Sequence, residues 1–198
     1  ELQLRIVISG DIRRLLRHLR RIPTTREHSP MKLSFLASLL LAAGLTLAVS
    51  AHADTLAYPS PDAASFMVDY PSSWEMTPGE ATGDYLTLMS EGGTTLMLRT
   101  IPGSEEEVQE AVKSSIEYVH ENYKNVALSE PTDTAQNGLS GFFTVGTAKD
   151  AEIGDVKLGM AWYSLSDGTI GEVWFVGPVE DADGLKQAGG ILNSFRSP

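Results

Sequence analysis

An apolar run from Leu33 to Val49, preceded by Met31-Lys32 and followed by Ser50-Ala51-His52-Ala53, limits which part of this chain folds. A short positive end, an apolar centre and small residues at −3 and −1 of a cut after Ala53 form the pattern of a secretory signal peptide. The competing reading is a transmembrane anchor, but about 17 residues is the lower limit for a bilayer-spanning helix. The Ala-His-Ala site and the polar, proline-containing stretch behind it favour cleavage. Residues 31–53 are therefore expected to be a signal peptide, with the exported protein beginning at Asp54.

Residues 1–30 are basic, with Ile12, Leu15, Leu16 and Leu19 at helical spacing among arginines. They fit either a basic amphipathic helix for an anionic membrane surface or an upstream segment without a fold. Because Met31 can open a signal peptide, the second reading is preferred. Residues 54–65 are expected to be a lead-in, and 66–198 a single domain. The protein is expected to be periplasmic or secreted, touching the membrane only through the signal peptide before cleavage.

Charge is distributed unevenly between these pieces. Residues 1–53 hold eight of the 15 Lys/Arg and three of the 26 Asp/Glu, leaving seven and 23 on residues 54–198, a net charge near −16. Such a surface repels phosphate backbones, so nucleic acid is not an expected partner. The chain has no cysteine, so it can carry neither a lipidated N-terminal cysteine nor a disulfide. The core alone must hold about 145 residues, which is large enough to bury roughly two-thirds of its unfolded surface.

Hydrophobic periodicity gives the elements. Phe66, Val68 and Tyr70 alternate with Met67 and Asp69 as a strand, ended by Pro71-Ser72-Ser73 ahead of Trp74. Tyr85–Met89 and Thr94–Ile101 flank Glu91-Gly92-Gly93 as a hairpin. Ser104 and Glu107 open a helix as a capping box, and Val108, Val112, Ile116, Val119 and Tyr123 give it an apolar stripe. Strand patterns resume at Val126–Leu128, Leu139–Thr147, Val156–Leu165 and Thr169–Val176, with turns at Asn137-Gly138 and Asp167-Gly168 and a polar loop from Lys149 to Asp155. A last helix places Leu185, Ala188, Ile191, Leu192 and Phe195 on one side. The expected fold is α+β, an antiparallel sheet flanked by one long helix and a C-terminal helix.

Phe66-Met67-Val68-Asp69-Tyr70-Pro71-Ser72-Ser73-Trp74 resembles the opening motif of the PsbP-like superfamily, an apolar strand running into Tyr-Pro and then Trp. The similarity continues through the hairpin, the long helix, the Gly138–Thr147 strand and the closing Ile191-Leu192-Asn193-Ser194-Phe195-Arg196, covering most of residues 62–197. The DcrB-like periplasmic proteins are similar in the same way. The resemblance implies a PsbP-like fold and an extracytoplasmic accessory or binding protein that is not an enzyme. No metal-binding or photosystem-contact residue of the plant proteins is matched here.

Residue chemistry points the same way. His120 is the one histidine left after processing, expected at the edge of the long helix near Glu117 and Glu121. Gly138-Leu139-Ser140-Gly141 lacks the final glycine of a nucleophile elbow, since Phe142 stands there. Asp150, Glu152 and Asp155, and Glu180, Asp181 and Asp183, are acidic clusters better read as turn and helix-terminal charge than as calcium loops. No catalytic residue, metal site or cofactor is expected. The preferred function is an exported, non-catalytic binding or accessory protein whose partner is an envelope protein or a small ligand. The alternatives are an exported hydrolase using scattered carboxylates or His120, and an acidic inhibitor or immunity-type protein for a basic partner.

The final hairpin carries the expected ligand site. A two-residue Asp167-Gly168 turn would oppose Tyr163 to Glu172 and Ala161 to Trp174. One face would then hold Leu158, Met160, Trp162, Val173 and Phe175 as core. Tyr163, Glu172 and Trp174 would share the other, either under a helix or facing a ligand.

Overall fold

The computed structural model describes residues 53–81 and 83–198. The expected upstream segment, and the signal peptide apart from Ala53, lie outside the described residues. Three strands open the described chain: β1 (Ala53–Tyr58), β2 (Phe66–Pro71) and β3 (Glu75–Thr77), with a 3-10 turn at Pro61–Ala63 between the first two. They are followed by β4 (Leu86–Met89), β5 (Thr95–Ile101), helix α1 (Glu105–Asn122), β6 (Lys124–Leu128) and β7 (Thr132–Gln136). The series closes with β8 (Leu139–Asp150), β9 (Gly154–Ser164), β10 (Ile170–Pro178) and helix α2 (Ala182–Ser194). Strands β1 and β2 form a ribbon of their own. The other eight make one antiparallel sheet in the order β3-β4-β5-β10-β9-β8-β6, with β7 also on β8. This is the PsbP-like α+β architecture.

The length of β8 explains its two partners. Its first half pairs with β7, from Gln136↔Leu139 to Thr132↔Phe143, and its second half with β6 at Ala127↔Thr147 and Leu128↔Gly146. Asn137-Gly138 makes the expected two-residue turn, with φ of 48° and 81°. A bulge interrupts β6 between Lys124 and Ala127, where Asn125 takes φ 53°; asparagine tolerates that region better than other side chains.

Two cores lie on the two faces of the sheet. On one, Leu86, Leu88, Leu96, Leu98, Ala161, Tyr163 and Val173 pack against Phe66 and Val68 of β2 and Ala188, Ile191 and Phe195 at α2. On the other, Leu158, Met160, Trp162 and Trp174 pack against Val108, Val112, Ile116 and Val119 of α1. Ser104 caps α1, its hydroxyl accepting the Glu107 amide at 3.3 Å, which is the N-cap half of the expected capping box.

The PsbP-like motif residues hold the ribbon and α2 together. Tyr58, Phe66, Phe195 and Tyr163 stack in series at centroid spacings of 5.0, 4.7 and 4.9 Å. The Trp74 indole donates to Gln187 Oε1 at 2.6 Å. Arg196 grips Asp69 with both Nη atoms at 2.9 Å, and Met67 and Arg196 exchange backbone bonds.

The lead-in 54–65 is ordered, carrying most of β1 with Tyr58 buried. Two expectations change. The polar loop from Lys149 to Asp155 contracts to Ala151–Ile153, because Asp150 Oδ1 accepts the Glu152 and Ile153 amides and Gly154 takes φ 84°. The hairpin from β9 to β10 turns through three residues rather than two. Leu165 N–H bonds Thr169 O at 3.0 Å. Gly168 alone has positive φ, while the Asp167 carboxylate accepts both the amide and hydroxyl of Thr169. One extra loop residue shifts the register by one and turns each β10 side chain to the other face.

Candidate binding cleft under the long helix

The register shift decides the site. Glu172 pairs with Trp162 on β9 and Arg99 on β5, and Trp174 pairs with Met160 and Met97. Glu172 and Trp174 therefore lie on the α1 side. Tyr163 pairs with Gly171 and lies on the α2 side, 4% exposed within the aromatic stack. The expected grouping of Tyr163 with Glu172 and Trp174 is thus corrected. The space beside Gly159 is filled by Phe175: a Cβ at Gly159 would fall on that ring.

Glu172 is 0% exposed and accepts four hydrogen bonds. Its Oε1 takes the Ser115 hydroxyl at 3.0 Å and the Trp162 indole at 3.1 Å. Its Oε2 takes the Tyr85 hydroxyl at 2.9 Å and Arg99 Nε at 2.6 Å. A carboxylate has about four lone-pair sites, so all are filled, and burial of the charge is compensated. The Ser115 hydroxyl relays the network, accepting the Trp174 indole at 3.2 Å.

The ionisation states follow from the packing. Burial, and then the Glu172 charge, push the Tyr85 phenol far above its ordinary range, so it stays a proton donor. Burial works against the charge of Arg99, but the Glu172 carboxylate beside it prevails and holds the guanidinium charged. The guanidinium carbon lies 4.3 Å from the Tyr85 ring centroid, a cation–π contact.

A cleft of about 360 Å³ opens beside this network, lined by Tyr85, Met97, Arg99, Ser114, Ser115, Tyr118 and Trp174. Tyr118, 50% exposed on the flank of α1, meets the edge of Trp174 at 5.6 Å. Only Nε of Arg99 is bonded; among the described residues its two Nη nitrogens have no hydrogen-bond partner. The cleft therefore combines aromatic walls with one unspent guanidinium edge, the few-polar-groups pattern of small-molecule sites.

A second groove of about 300 Å³ lies on the opposite face, beside α2, with Phe143, Val145, Tyr163, Phe175, Gly189 and Leu192 among its lining. Tyr163 thus lines a different groove from Trp174. Burial raises its phenol above the ordinary value.

The remaining candidates have structural places. His120 is buried rather than at the helix edge, 8% exposed, because it continues the four-residue steps of Val108, Val112 and Ile116. Asp181 caps α2, accepting the Gly184 amide and the hydroxyls of Ser90 and Thr94. Among the described residues no group of three or more His, Asp or Glu gathers as a metal would need. Sequence reasoning missed Arg99, Tyr85 and Ser115. The available signal was Ser115, a polar residue inside the apolar stripe of α1.

Sheet order, flanking helices and the two cores together define a PsbP-like fold. The structure is similar to the solution structure of cyanobacterial PsbP from Synechocystis, with 11% identity, a TM-score of 0.52, and coverage of 81% of this chain and 99% of that one. It is also similar, at 11% identity each, to LpqN, involved in cell envelope biogenesis of Mycobacterium tuberculosis (TM-score 0.49, 74% and 92% covered), and to a protein of Bacteroides thetaiotaomicron (TM-score 0.48, 73% and 48% covered). The chain spans about half the length of the Bacteroides protein. No protein-family profile and no curated protein sequence matches the chain. No described helix is long and apolar enough to cross a membrane.

Proposed function

We propose that this is an exported, non-catalytic binding protein of the cell envelope that holds a small organic ligand in the cleft between α1 and the sheet. The observation that carries the reading is the cleft lined by Trp174, Tyr118, Tyr85 and Met97 around an Arg99 guanidinium with unspent donors. Export is supported by the signal pattern before Asp54. Glu172 supports binding over catalysis. Its network holds Arg99 directly and Trp174 through Ser115, and every lone pair of the carboxylate is already occupied by a protein donor.

The test is tryptophan fluorescence of the exported protein titrated with a small-molecule extract of the envelope, compared with Trp174→Phe. A saturable change is expected in the parent and a diminished one in the variant. A change that survives the substitution with unaltered affinity would remove the cleft as the site.

A further inference from the structure

The ligand class can be narrowed, on the reading that the α1 cleft is a ligand site. We infer that the cleft takes an organic monocarboxylate with a flat or short apolar body, its carboxylate on the Nη edge of Arg99 and its body against Trp174 and Tyr118.

Arg99 is spoken for on two sides. Its Nε edge meets Glu172 at 2.6 Å and one face meets Tyr85 at 4.3 Å. The geometry fixes the guanidinium plane, and the two Nη nitrogens remain without hydrogen-bond partners among the described residues. With its side chain 26% exposed at the cleft, Arg99 offers a pre-oriented pair of parallel N–H donors, the arrangement that matches a carboxylate in two-point fashion. Its orientation is already held by Glu172 and Tyr85, so a ligand need not order it.

The same residues exclude other classes. A cationic ligand would meet the like charge of Arg99 at the floor of the cleft. The one carboxylate that could attract it, Glu172, is wholly buried with all its acceptor sites used. A phosphomonoester brings nearly two charges and three oxygens, whereas the lining presents a single cation, the guanidinium, with the Ser114 and Tyr118 hydroxyls as its unengaged neutral donors. Its desolvation grows with the square of the charge, while attraction to one cation grows only in proportion. The volume, about 360 Å³, sits near the lower end of small-molecule sites, which suits a compact body.

The indole N–H groups provide the readout, because the three tryptophans have three different acceptors. Trp174 donates to Ser115, Trp162 to Glu172, and Trp74 to Gln187 on the α2 side. In nitrogen–proton correlation spectra of the exported protein, the indole peaks are titrated with phenylacetate, phenylacetamide, phenethylamine and phenyl phosphate. Phenylacetate is expected to move the Trp174 and Trp162 peaks, leave Trp74 still, and bind at least fivefold tighter than each of the others. Arg99→Lys keeps a charge beside Glu172 but removes the fork, and is expected to erase most of that preference. Should the variant not fold, the four-compound series in the parent decides alone.

If the amide, amine or phosphate moves Trp174 with an affinity within fivefold of phenylacetate, the carboxylate assignment is overturned while the cleft remains a binding site. If no compound moves Trp174, both the assignment and the site are overturned.

Discussion

At the residue scale, Glu172 is the group on which most of the cleft depends. Four donors from β4's approach, β5, α1 and β9 converge on its two oxygens. Removing one partner of a buried ion pair typically costs about 3–5 kcal/mol, because the other charge is left uncompensated. Glu172→Ala is therefore expected to lower stability by about that much in urea unfolding, together with loss of the Trp162 and Trp174 indole environments. A change below about 1 kcal/mol would mean that the network is not formed in solution. Glu172 was singled out from its sequence position, but its neighbours were not, because Arg99 and Tyr85 lie more than 70 residues away and meet it only through the β5–β10 pairing. The one-residue register error also came from this scale. Asp167-Gly168 fits a two-residue turn in composition, whereas the Asp167 carboxylate binding Thr169 favours the longer loop.

At the scale of elements, the termini and interior of α2 make opposite contributions. Asp181 is held below its ordinary 3.8, first by the Thr94 hydroxyl and further by Ser90 and the Gly184 amide. Asp69 is likewise lowered, first by its hydrogen bonds to Arg196 and then by Thr55. The folded chain thus binds fewer protons than the unfolded one in acid. The stability these groups contribute is full above about pH 3.8 and is lost as pH falls through their lower folded values. Urea midpoints are expected to hold steady from neutral pH down to that point and to fall below it, less steeply in Asp181→Asn. A midpoint independent of acid would contradict the two carboxylate anchors.

The interior of α2 is less favourable. A Cβ at Gly190 would meet nothing within 4 Å, so Gly190→Ala is expected to stabilise by about 0.5–1 kcal/mol through reduced freedom of the unfolded chain. A melting temperature unchanged or lowered in that variant would show that the glycine is needed for packing. The helices and most strands were legible from period and caps, since α1 and α2 bury strongly patterned faces. Strands β1, β3 and β7 were not, because Glu75–Thr77 and Thr132–Gln136 are short, mostly polar and exposed. They form because a neighbouring strand offers an edge.

At the scale of the whole molecule, the residues that carry the family likeness and those that line the cleft occupy opposite faces. The Tyr-Pro-x-x-Trp and Asn-Ser-Phe-Arg motifs dock the ribbon and α2. The α1 face holds the cleft. This separation explains why the sequence spoke clearly about the fold and little about the ligand: a docking motif can be shared while the opposite face changes its chemistry. The measurement closest to the central proposal is native mass spectrometry of the protein recovered from the envelope fraction. The expected spectrum is a chain beginning at Asp54 with a small organic adduct, and the same chain without the adduct in Tyr118→Ala, an exposed rim substitution that leaves the Glu172 network intact. A chain that retains Leu33–Val49, a parent with no adduct, or an adduct unchanged in Tyr118→Ala would contradict it.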